Sequence, residues 1–208
     1  MRKIVLAVLL LTVATLASAN TLTLTPVTVN HQYQQTTNNP CVIGDPSCNQ
    51  PAGFGETIFP IASSYDSVSP VYTVAQINAI TGGAFIIGVD INQTEVTQTL
   101  ALFEMLINGV VVDTYFADPA TLVPPTVGGG NGNGYADYIL TGFTSLAGYN
   151  DTDTVQFHVV MPLVNDGREE FFLISQNAPP PVPEPSSLAL LGTGLVGAAG
   201  VIRRRFFS

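Results

Sequence analysis

Between residues 20 and 177 the apolar positions recur mainly at every second residue, the period of half-buried strands. Thr21-Leu22-Thr23-Leu24 alternates cleanly, then changes phase across Pro26 to Val27 and Val29, which predicts an edge strand with a kink. Residues 31–39 are Gln, Thr and Asn without period, and 56–61, 69–74 and 84–91 are further strand candidates. The strongest local signal is 97–107 and 110–116 about Asn108-Gly109, a hairpin with a type I′ turn. A helix competes over 97–107, given Leu100, Ala101, Leu102, Glu104 and Met105, but the return run Val110-Val111-Val112 favours strand. Strands are also predicted over 135–143, 154–164 and 169–175. The last two flank Asn165-Asp166-Gly167-Arg168 as a second hairpin. Short strands, turns of Gly, Pro and Asn, no convincing amphipathic helix and no internal repeat predict an all-β fold. The expected form is a single β-sandwich ectodomain, with a jelly-roll as one arrangement open to it.

The two ends obey other rules. Arg2-Lys3, an apolar run over 4–11 and the small residues Ala17-Ser18-Ala19 have the order of a secretory signal peptide, with cleavage expected after Ala19. No Cys comes after that site, so a lipid-modified N-terminus is not expected. At the other end a polyproline spacer, Ala178-Pro179-Pro180-Pro181-Val182, leads into Pro183-Glu184-Pro185-Ser186-Ser187. Polyproline is stiff and extended, and holds the next segment away from a fold. An uncharged, mostly apolar stretch over 188–202 then meets Arg203, Arg204 and Arg205. Arginines that close an apolar helix stay on the cytoplasmic side. As a helix, 188–202 would reach only about 22 Å of the ~30 Å hydrocarbon core. It also carries Gly192, Gly194, Gly197 and Gly200, all poor helix formers. Such a span suits a transient handle better than a lasting anchor. The expected division is therefore signal peptide 1–19, ectodomain 20–177, spacer 178–187, transmembrane helix 188–202 and basic cytoplasmic tail 203–208.

Val-Pro-Glu-Pro-Ser, a glycine-rich apolar helix and a terminal arginine cluster, in that order over residues 182–208, resemble the PEP-CTERM sorting signal of Gram-negative bacteria. The resemblance implies recognition of Pro183, Glu184 and Pro185 by an exosortase, an integral-membrane cysteine protease, after export by the Sec machinery. It further implies passage through the inner membrane, display on the cell surface or in the extracellular matrix, and a setting of exopolysaccharide and biofilm. That family shares its tail and not its ectodomains, so the resemblance carries no activity for residues 20–177.

Charge narrows the partners. Of 15 carboxylate residues all but Glu184 fall between Asp45 and Glu170, whereas Arg168 is the one cationic side chain of the ectodomain. So acidic a surface repels phosphate backbones, and no nucleic-acid partner is expected. Cys41 and Cys48 in an exported segment predict a disulfide around a short loop.

Candidate chemistry is sparse. His31 lies in the aperiodic stretch, and His158 falls with Gln156 on the polar face of its strand, opposite Val155, Phe157, Val159 and Met161. The glycine-rich 128–134 lacks the Lys-Ser/Thr and the helix of a phosphate loop. No catalytic residue is assigned and no enzyme is expected. Acids are the remaining theme. A two-residue turn at Asn108-Gly109 would set Glu104 opposite Asp113, and Asp151 and Asp153 form a D-x-D pair, so these four are the weak candidates for Ca²⁺. Tyr135, Tyr138 and Tyr149 are candidate platforms for sugar. The leading expectation is a non-enzymatic surface or matrix protein. The alternatives are an adhesin module that binds carbohydrate or calcium and, behind it, a secreted hydrolase.

Overall fold

The computed structural model describes residues 19–29, 31–60, 62–92, 98–117, 132–164 and 167–177. In chain order they form β1 (Asn20–Thr21), β2 (Thr23–Pro26), β3 (Cys41–Gly44), β4 (Thr57–Ile58), β5 (Ala62–Val68) and β6 (Tyr72–Thr73). The helix α1 (Val74–Thr81), β7 (Phe85–Asp90), β8 (Leu102–Ile107) and β9 (Val110–Phe116) come next. Then come β10 (Tyr138–Thr141), a 3₁₀ turn (Leu146–Gly148), β11 (Thr154–Val164) and β12 (Glu170–Ser175).

These strands make two sheets. The first runs β1-β9-β8-β11-β5, with β6 also on β11, and the second runs β2-β10-β7-β12-β3-β4. The predicted sandwich is therefore the observed fold. The pairs β1–β9 and β3–β4 are parallel and the others antiparallel. Alternation is cleanest in β11, where Val155, Phe157, Val159 and Met161 are fully buried against the second sheet. Phe103, Met105 and Ile107 of β8 join them from the same sheet, and Ile87, Val89, Phe171 and Leu173 face them across the gap. The kink predicted near Pro26 falls earlier, at buried Leu22, where the chain passes from β1 in the first sheet to β2 in the second.

The second sheet is covered on both sides. Its outer face carries a smaller core of Val27, Cys41, Ile86, Ala136, Phe172 and Ile174, joined by Tyr33, Cys48 and Ile139. The aperiodic polar stretch after β2 thus crosses the sheet, and the Cys41–Cys48 disulfide pins its end. Gln35 is held there by Asn49, whose backbone N–H donates to Gln35 Oε1 at 3.0 Å. Gly88 faces Phe172 across the β7–β12 ladder and gives its ring room, because a Cβ there would lie 2.7 Å from the ring.

Four expectations are corrected. The strand expected over 69–74 is only Tyr72–Thr73, and a helix not expected follows over Val74–Thr81: Thr73 and Gln76 make a reciprocal capping box, and Gly82 ends α1 in the left-handed conformation. Its buried Val74, Ile77 and Thr81 have helical spacing, hidden in sequence by β-branched residues over a span of only 8. The strand β5, rich in Ser, is absent from the sequence reading; it lies on the edge of the first sheet and buries Tyr65. β11 and β12 are not a hairpin, since they belong to different sheets. Finally, Asn108 and Gly109 have φ of 51° and 75°, as a type I′ turn needs, but a bulge between Met105 and Leu106 shifts the ladder. Glu104 therefore faces Thr114, and Asp113 faces Met105.

Candidate functional site

Of the sequence-predicted positions, Pro183, Glu184, Pro185, Arg203, Arg204, Arg205 and Ala17 lie outside the described residues, as does the chain around them. What can be placed is where the ectodomain hands over to them. From Ala19 the chain enters β1, whose Asn20 and Thr21 pair with Asp113 and Thr114. At the other end the Ser175 hydroxyl donates to Thr81 O at 2.7 Å and the Gln176 N–H to Ala84 O at 3.0 Å. The link to the spacer is thus clamped beside the C-terminus of α1.

The outer face of the first sheet holds one ordered polar cluster. His158 pairs directly with Glu104 across β11–β8, and Asp66 sits diagonally on β5, two positions from its register partner Val68. Nδ1 of His158 lies 2.8 Å from Glu104 Oε2, and Nε2 lies 2.9 Å from Asp66 Oδ1. Partial burial works against the imidazolium, but hydrogen bonds to Asp66 and Glu104 and the charges of both acids outweigh it, so the ring pKa is raised. With both nitrogens committed to carboxylates, the ring is built to be charged and to tie three strands. This arrangement leaves neither nitrogen for a substrate proton. His158 lies on the polar face as the alternation implied, but its partners depend on strand order.

The four weak calcium candidates do not converge. Glu104 is engaged by His158. Asp113 is fully buried and accepts from the Thr144 backbone N–H at 2.9 Å and from its hydroxyl at 2.5 Å. Asp153 caps the neighbouring loops, accepting from Asn150 N at 2.7 Å and Asn108 Nδ2 at 3.0 Å, bonds that lower its pKa. Asp151 is exposed in the same loop. Among the described residues, three candidate metal-ligand atoms come within 4.8 Å of one another only at Cys41, Cys48 and Glu56. Both sulfurs there are oxidised and supply no thiolate.

A different set of acids does assemble, at one end of the second sheet. Glu170 is the register partner of Asp90. Tyr138 pairs with Val89 and the Asp137 N–H bonds to Val89 O, which sets Asp137 level with Asp90 on its other side. Asp90 Oδ2 accepts from Gly134 N at 2.6 Å, and Asp137 Oδ2 from Ile91 N at 2.8 Å. Glu169, next in the chain, takes the Asn92 N–H in a short bond. Burial pushes Asp90 up to about 8, helped by the charges of Asp137 and Glu170 and opposed by the Gly134 N–H. Asp137 rises to about 7 by burial, and Glu170 to about 7 by burial and then the charges of Asp45 and Glu56. Arg168 cannot neutralise the row. Its Nε donates to Phe59 O at 2.7 Å and its Nη1 to Asp45 at 3.2 Å. Sequence reasoning missed this set because its members come from three separate strand regions.

Towards the opposite end of that sheet lies a shallow groove of about 380 Å³. Ile86, Ile139 and Ile174 form its apolar floor, with Tyr33 beside them and Gln32, Thr141 and Gln176 around the rim. No charged residue lines it. The tyrosines singled out as sugar platforms lie elsewhere: Tyr138 and Tyr149 pack partly buried against the main core, and Tyr135 lies against His31 with ring centroids 4.2 Å apart.

Residues 181–205 match one protein family, the PEP-CTERM protein-sorting motif. The match covers the spacer's last prolines, the Pro-Glu-Pro tripeptide, the apolar stretch and the arginines, and so confirms the resemblance of the tail. The motif marks an exported, membrane-transiting protein of a Gram-negative bacterium, with an exosortase as its processing partner. No curated protein and no solved structure shows significant similarity to the chain.

Proposed function

We propose that this chain, which carries a PEP-CTERM sorting motif in its tail, is a non-enzymatic component of the cell surface or extracellular matrix, released there when an exosortase cuts near Pro183-Glu184-Pro185. The observation that carries the reading is the motif match over 181–205, placed directly behind a folded β ectodomain. The Sec machinery exports the chain through its first 19 residues, and residues 188–202 hold it in the inner membrane until the second cut. Exopolysaccharide and biofilm are the setting in which the displayed domain works.

The chemistry of the ectodomain supports a non-catalytic role. The cysteines are closed in a disulfide, His158 has both nitrogens tied to acids, and of the assembled carboxylates Asp90, Asp137 and Glu169 lie buried. Glycoside hydrolysis needs two acids facing each other across an accessible substrate.

Mass spectrometry of the protein recovered from the cell surface tests the sorting reading. The expected mature chain begins at Asn20 and ends near Pro185. A surface-exposed form that retains Ser208 would overturn it.

The groove on the second sheet favours one further reading, a carbohydrate-binding module. An apolar floor with a tyrosine and a rim of neutral amides and hydroxyls suits an uncharged sugar chain. Thermal melts with and without the producer's own polysaccharide test this, because a ligand of the native state must raise the Tm. An unchanged Tm at saturating polysaccharide would argue against it.

A further inference from the structure

Asp90 and Glu170 are register partners on β7 and β12, and Asp137, one residue ahead of β10, lies level with Asp90 on its other side. Strands lie about 4.8 Å apart, and the row therefore spans roughly 10 Å. It is also buried. Asp90 is 1% exposed and Asp137 6% exposed. Two oxygens of the row, Asp90 Oδ1 and Glu170 Oε2, are shut away from water and receive no N–H or O–H donor. The neighbour within reach of Asp90 is the Asp137 carboxyl, which accepts from Asp90 only while Asp90 holds a proton.

Counting charge decides between the ways to fill such a row. Protons can fill it one carboxyl at a time, but with Asp90 raised to about 8 and Asp137 and Glu170 to about 7 the row stays partly ionised at neutral pH. Whatever fraction is ionised lies beside Glu169, Glu56 and Asp45, where like charges repel and desolvation disfavours it. Arg168 is spent on Asp45 and Phe59. A divalent cation neutralises two carboxylates at once and gives the donorless oxygens a partner. The donor set is all oxygen, which excludes soft metals, and calcium tolerates irregular coordination better than magnesium does.

We infer that the Asp137–Asp90–Glu170 row is a calcium site that ties β7, β12 and the segment before β10 together at one end of the sandwich. The row is drawn out in a line, so binding draws the outer carboxylates towards Asp90 and tightens that end. β12 runs from Glu170 at the row to Ser175 at the exit, about 17 Å, so the ion sits on the end away from the sorting tail. The inference is independent of the sorting reading, since calcium binds whether or not the tail is cut.

The test uses the full chain in detergent, stripped of metal with a chelator, at neutral pH. Calcium chloride is titrated calorimetrically and melts are recorded with and without it. Binding at the row and a Tm rise of roughly 5–10 °C at a hundredfold excess over Kd are expected. Asp90→Asn should lose both the binding and the rise, while Asp151→Asn, at an exposed acid outside the row, should keep both. If Asp90→Asn does not fold, Glu170→Gln at a partly exposed position gives the same readout. Three results would overturn the inference. One is wild-type protein that binds no calcium; a higher Tm for Asp90→Asn would then identify protons as what fills the row. Another is an unchanged calcium response in a folded row variant, which moves the ion elsewhere. The third is an equal response to magnesium, which removes the calcium assignment.

Discussion

Replacing His158 by Gln should destabilise the ectodomain in acid and matter progressively less as the pH rises. The imidazolium donates from both nitrogens, to Glu104 and to Asp66. A neutral ring has one N–H, so one of those carboxylates then faces a bare lone pair. The folded pKa is raised above the unfolded value of 6.5. The stabilisation is therefore fully present below about pH 6.5 and is lost as pH climbs through the folded pKa. Its size is modest. Asp66 is 74% exposed, and that half of the pair contributes next to nothing once water screens it. The His158–Glu104 half is 22% and 18% exposed and carries most of the effect, about 1 kcal/mol. For a domain of this length that is roughly 2–4 °C in Tm. Urea titrations of wild type and His158→Gln across pH 5 to 9 isolate it, because other titrating groups cancel in the difference. Glu104→Gln should reproduce most of the same pH-dependent gap. A gap that is flat with pH, or that widens in alkali, would refute the reasoning.

Two further outcomes rest on packing and on the chain's covalent closure. Gly88→Ala should cost about 1–3 kcal/mol by urea unfolding, since the added methyl meets the Phe172 ring at 2.7 Å and Ile174 Cδ1 at 2.9 Å, both packed in the outer-face core. Replacing Cys41 and Cys48 together by Ser should lower stability by roughly 2–3 kcal/mol, mostly through a freer unfolded chain. Equal midpoints for variant and wild type would contradict either estimate.

The parts of the fold legible in sequence are those whose signal is local and unbroken. The predicted 154–164 coincides with β11 because Val155, Phe157, Val159 and Met161, at every second position, are apolar and face the core. The Asn108-Gly109 turn was legible because few other residue pairs adopt positive φ twice in a row. Its register was not, since a bulge at Met105–Leu106 has no sequence mark among Val110, Val111 and Val112. β5 escaped because an edge strand that buries chiefly Tyr65 needs no apolar run. α1 escaped because Val, Ile and Thr speak for strand over a length where two capping contacts decide for helix.

The same distinction explains why one half of the biology is readable and the other is not. A sorting signal is presented to another protein as a linear segment, so its order and spacing are its function, and residues 181–205 carry it without any tertiary contact being needed. The ectodomain's chemistry depends on which strands become neighbours. Asp90 ends an apolar strand, Asp137 follows the glycine-rich sequence 128–134 and Glu170 begins a strand shortly after Asn165-Asp166-Gly167, and nothing local relates them. Only the order β10-β7-β12 sets them side by side, as only the order β8-β11-β5 closes Glu104 and Asp66 on His158. Two clusters of acids, one carrying its own cation and one without, thus arise from the same shortage of basic residues. The first is answered inside the chain by a histidine. The second has only protons to relieve it, which it loses as pH rises past about 7 to 8, and for that reason it is the place to look for a cation supplied by the medium.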